Sequence, residues 1–122
     1  MREVCFLIGE GDRVLWADAS DSPVALPDSR ARWEAIWRHR AELVEIAHSH
    51  PNGPERFSQE DEETMGALLT ALGRPLRFSV VTPATTIVRS GSADEARTDE
   101  PWWAALLRLA SGMNQKQRGK EE

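Results

Sequence analysis

The chain is poor in thiols. It carries one cysteine, Cys5, which cannot close an internal disulfide and fits a reducing, cytoplasmic setting. A lone cysteine also excludes a zinc site built on a Pro-Cys-x-x-Cys pair, as in nucleobase deaminases. Basic charge is in deficit. Fifteen Lys and Arg face 20 Asp and Glu, a formal net charge of -5. Without a basic excess there is little to displace counterions from a phosphate backbone, so general nucleic-acid binding is not expected. No stretch approaches the roughly 18 apolar residues of a membrane span. Met1-Arg2-Glu3-Val4 leaves no room for a signal peptide's apolar stretch. Histidine is scarce too, with His39, His48 and His50 the only three. Hydrolases that need further histidines around a His-x-His pair are thereby disfavoured.

What is present reads as one globular domain. The chain has 122 residues, 40% hydrophobic and 29% charged, enough to bury about two thirds of its unfolded surface. Two short apolar runs, 4–8 and 14–17, flank Gly9-Glu10-Gly11-Asp12 and predict a β-hairpin. The first run is apolar on both faces, which predicts burial. Residues 18–28 are rich in Asp, Ser and Pro and read as a loop. Asp28 or Ser29 can cap a helix over 29–41, with Trp33, Ile36 and Trp37 on its inner face. A strand over 43–50 follows, then a helix over 58–72 stopped by Gly73. Strands are expected over 76–81 and 85–89, a mobile connector over 90–100, and a helix from Pro101 to about 109. Residues 1–110 form the expected domain, with 111–122 a polar tail. The order β-β-α-β-α-β-β-α predicts helices packed on a mixed sheet.

The chemistry concentrates in His48-Ser49-His50-Pro51. On an extended strand, residues two apart share a face, so both imidazoles point one way. Pro51 disfavours the α region for His50 and keeps it extended. Asp61 returns at the start of the next helix. Two imidazoles, one carboxylate and one water make the open four-coordinate site of a catalytic zinc. Other readings exist. Histidines at a strand end can simply bond nearby carbonyls. Ser58-Gln59-Glu60-Asp61 is also a capping box, in which Ser58 caps the helix and Asp61 bonds back. An Asp61 that served as a ligand would be expected to give up that reciprocal bond. Trp102-Trp103 reads as core or as a partner surface.

The pattern His48-x-His50, seven residues, Ser58, two residues, Asp61 resembles the JAMM (MPN+) metalloprotease family, as a small bacterial-type member, over roughly residues 3 to 90. The resemblance implies a three-layer helix-sheet-helix α/β domain with a mixed β-sheet, the MPN fold related to cytidine deaminases. It implies one Zn2+ per chain on His48, His50 and Asp61, with Ser58 stabilising the transition state. It also implies an upstream Glu as general base, for which Glu3 in Arg2-Glu3-Val4-Cys5 is the match. The family pattern places a Gly three residues after that Glu and another four further on. Here Phe6 takes the first place and Gly9 falls one residue early. The implied reaction is hydrolysis of a peptide or isopeptide bond, often after the C-terminus of a ubiquitin-like protein. The alternative is a non-catalytic MPN-type scaffold or binding module. Oligomeric state is left open.

Overall fold

A computed structural model describes residues 1–21 and 29–113. Of the loop expected over 18–28, residues 22–28 lie outside the described residues, as do residues 114–122 of the tail expected over 111–122. Strands β1 (Val4–Gly9) and β2 (Arg13–Ala19) form the expected hairpin around a 3-10 turn. Gly11 in that turn has φ 71, a left-handed conformation that glycine adopts without steric cost. Helix α1 (Arg30–Arg38) starts at Ser29, whose hydroxyl accepts the Arg32 N–H. Then come β3 (Leu43–Ser49), α2 (Gln59–Leu72), β4 (Arg77–Val81), β5 (Thr86–Ser90), β6 (Ala93–Ala96) and α3 (Trp102–Ser111). Gly73 ends α2 with φ 68, its N–H bonded to the Leu69 carbonyl.

The six strands form one sheet in the order β2-β1-β3-β4-β5-β6. Only β3 and β4, joined through α2, run parallel; the other neighbours are antiparallel. β1 is an interior strand, flanked by β2 and β3, and all six of its residues are buried. Its alternate side chains feed two cores. Cys5 and Leu7 join Ile46 and Phe78 under Ile36 of α1 and Met65 of α2. Val4, Phe6 and Ile8 face the other way, onto Trp103 and Leu107 of α3. Each such side chain, fully buried, contributes about 1.5–3 kcal/mol. The result is helix, sheet, helix: helices packed on a mixed sheet, as the alternation predicted, in the three-layer arrangement that the resemblance implied. Among the described residues no helix is long and apolar enough to cross a membrane.

Three local readings change. The connector expected over 90–100 contains β6, an edge strand exposed along its whole length. Main-chain pairing with β5 and the Arg89–Asp94 ion pair hold it, so no apolar period marks it. Helix α1 stops at Arg38, short of 41, and Trp37 is 58% exposed. The Arg40 guanidinium lies 3.8 Å from its ring centroid, a cation–π contact that suits a surface tryptophan. Helix α3 continues through Ser111, and both Ser111 and Met113 are buried.

Candidate metal centre

The site forms where the parallel pair ends. His48 is the penultimate residue of β3, and His50 follows the strand directly. The His50 N–H donates to the Val81 carbonyl at 2.8 Å, which carries the extended backbone past the end of β3. Both rings therefore face the α1–α2 side, as the two-residue spacing predicted. The chain then turns, with the Gly53 N–H bonded to the His50 carbonyl at 3.0 Å. The turn brings the Pro54 carbonyl to 2.9 Å from His50 Nδ1. A carbonyl only accepts, so Nδ1 carries the proton, and a neutral His50 ring presents a bare Nε2.

That Nε2 meets two other atoms. It lies 3.2 Å from His48 Nε2 and 3.3 Å from Asp61 Oδ2, and His48 Nε2 is 3.2 Å from the same oxygen. The three atoms form a nearly equilateral triangle. Ligands at 2.0–2.1 Å around a tetrahedral zinc stand roughly 3.3 Å apart, so the edges fit. The donor set fits as well. The carboxylate oxygen and the bare Nε2 of His50 are both acceptors, and they need a cation or a proton between them.

Helix α2 supplies the third corner. Ser58 Oγ accepts the Asp61 N–H at 3.0 Å, and the Ser58 N–H donates to Asp61 Oδ2 at 2.8 Å. The full capping box is present. Asp61 therefore keeps its reciprocal bond while the same oxygen faces both rings. A carboxylate oxygen has lone pairs enough for both tasks. Burial alone would raise the Asp61 carboxyl, but its bonds to His48 and His50 outweigh burial and hold it far below the usual range. Burial would likewise lower His50. Its bond to Asp61, then that to Pro54, instead push it above its ordinary value.

Glu3 sits just before β1 and is 7% exposed. Cys5 pairs with His48 in the antiparallel ladder, so continuing the register sets Glu3 opposite His50, on the same face. The departures from the family glycines have not moved Glu3 off the cleft. Burial raises its carboxyl, against the lowering pull of His48 and His50. Ser58, Glu3 and the triangle all line one cleft of about 690 Å3, lined also by the apolar side chains of Trp33, Ile36 and Met65.

A family model for prokaryotic homologues of the JAB domain matches residues 3–105. The chain belongs to that family. Among curated proteins none matches the chain. The JAB-domain match spans the candidate site residues, from Glu3 through Asp61.

Cys5 also lines the cleft of this JAB-family chain, but burial pushes its thiol up to about 12. It is no nucleophile at neutral pH. His39 caps the C-terminal end of α1, apart from the triangle. One participant escaped the sequence. The Pro54 carbonyl that sets the His50 tautomer belongs to a loop with no periodic signal. Ser49 points away from the cleft, where alternation puts it.

Proposed function

We propose that this JAB-domain chain is a zinc-dependent metallopeptidase or isopeptidase of the cytoplasm, acting on a peptide or a ubiquitin-like protein. The convergence of three ligand-type atoms at 3.2–3.3 Å from one another carries the reading. His48, His50 and Asp61 would hold one Zn2+ per chain. The chemistry that zinc would supply there is a bound water of pKa about 7 and a polarised carbonyl. Glu3, its carboxyl raised by burial, takes a proton from water in the cleft and returns it to the leaving nitrogen. The Ser58 oxygen accepts the Asp61 N–H and keeps its own proton to donate to a developing oxyanion.

Zinc stoichiometry and cleavage test the proposal together. The substrate is a ubiquitin-like protein bearing a peptide after its C-terminal Gly-Gly. The expected result is one zinc per chain in both wild type and Glu3→Gln, with cleavage in wild type alone. Zinc bound without cleavage of any such fusion would leave the scaffold reading. Failure to bind zinc would remove both the metal and the enzyme.

A further inference from the structure

The segment carrying Glu3 is fastened from outside the cleft. The Arg2 N–H donates to the Ser111 carbonyl at 3.0 Å, and the Glu3 carbonyl accepts the Ser20 N–H at 2.9 Å. The pairing of β1 with β3 stops at Cys5 and His48, one step short of Val4. There a side chain replaces the ladder: the Val4 N–H donates to Ser49 Oγ at 2.9 Å. Ser49 lies between the two site histidines in sequence but is fully buried on the α3 face. Its hydroxyl lies 2.7 Å from that of Ser111, which also bonds the Leu107 carbonyl at 2.8 Å. A carbonyl only accepts, so the one Ser111 proton goes to Leu107, and Ser49 supplies the proton between the hydroxyls. The relay runs unbroken from Val4 through Ser49 and Ser111 to Leu107. Arg2 Nε adds a bond to the Ala110 carbonyl at 3.1 Å, placing a cation at the negative end of α3.

We infer that Ser49 and Ser111 are positioning residues, which fasten residues 2–4 to α3 and hold the Glu3 carboxylate toward His48, His50 and Asp61. The catalytic consequence rests on the reading of Glu3 as proton acceptor; the fastening does not. A catalytic group must be held within about 0.5 Å by the packing and hydrogen bonds behind it. For Glu3 that support comes from the layer opposite the cleft, through the sheet.

The test uses the full chain as wild type, Ser49→Ala, Ser49→Thr, Ser111→Ala and Ala104→Gly. Amide exchange at Arg2 and Val4 is followed by NMR, beside zinc affinity and cleavage of the ubiquitin-like fusion. In Ser49→Ala, exchange at Val4 is expected to rise about tenfold, the effect of its one lost hydrogen bond, and in Ser111→Ala, where the Ser49 hydroxyl loses its anchor, it rises by a smaller factor. The kcat is expected to fall about 100-fold, as for a catalytic group misplaced by 1 Å. KM and zinc affinity stay unchanged, and Ser49→Thr restores exchange and kcat together. Ala104→Gly weakens α3 away from the relay, so it lowers the melting temperature without a selective change at Arg2, Val4 or kcat. Unmoved exchange at Val4 overturns the inference. So does a loss of zinc affinity and kcat that merely tracks melting temperature. If Ser49→Ala does not fold, Ser111→Ala carries the test. If wild type cleaves nothing, the enzyme reading fails while exchange at Arg2 and Val4 still decides the fastening.

Discussion

Ser58 holds two roles that substitution can separate. Its oxygen accepts the Asp61 N–H at 3.0 Å as the cap of α2. Its proton is free for the cleft. Ser58→Ala removes both. Losing an N-cap costs about 1 kcal/mol, or about 3–5 °C in a domain of this size. Losing an oxyanion donor costs about 3 kcal/mol, roughly a hundredfold in kcat. Zinc affinity should hardly move, because the bond that aims Asp61 comes from the Ser58 main-chain N–H at 2.8 Å, which alanine retains. Ser58→Asn keeps a good cap but changes the donor, so it should melt like wild type and still turn over slowly. Ser58→Thr keeps both functions. Calorimetry, zinc competition and fusion cleavage read the three quantities separately. A kcat in Ser58→Ala equal to wild type would refute the oxyanion role and leave Ser58 as a helix cap. A large loss of zinc affinity in Ser58→Ala would refute the claim that the main chain aims Asp61.

Zinc at 100 times its dissociation constant should add about 2.7 kcal/mol of stability. A chelator should remove that increment and His48→Ala abolish it; a melting temperature indifferent to zinc contradicts the site. In metal-free protein, Asp61 is depressed and His50 raised. The Asp61 contribution is present above its unfolded value and lost as pH falls through its folded one; the His50 contribution is full below its unfolded value and lost as pH rises through its folded one. The advantage of wild type over Asp61→Asn in denaturant titrations should therefore be largest between about pH 4 and 6.5 and shrink on both sides; a flat difference contradicts the shared contacts. Arg108 is 2% exposed and pairs with Glu100 and the Thr82 carbonyl. Arg108→Met should cost about 3–5 kcal/mol by stranding those partners, with Glu100→Gln recovering part of the loss in the double variant.

The sequence displayed the site because most of the site is local. His48, His50, Ser58 and Asp61 fall on one strand end and one helix start, so strand period and capping chemistry place them without tertiary knowledge. The two-faced burial of β1 was legible in its unbroken apolar run for the same reason. What escaped is what only packing decides. Glu45 interrupts the apolar run of β3, yet it is fully buried with Ser79, Arg77 and Arg97 as partners; those partners come from two later segments. β6 forms through main-chain bonds to a neighbour, which no side-chain pattern announces. Trp37 repeats at helical spacing but lies on the solvent side, because Ala35 and Ile36 already fill the inner face of the short α1.

The atom that orients the ring of His50 belongs to the peptide backbone. Point substitution cannot delete it. Asn52, Glu55 and Arg56 around it are exposed and free to drift without turning the imidazole, whereas insertion or deletion of one residue between Pro51 and Phe57 would swing that oxygen away. Tolerance in this loop should accordingly be wide for residue identity and narrow for length.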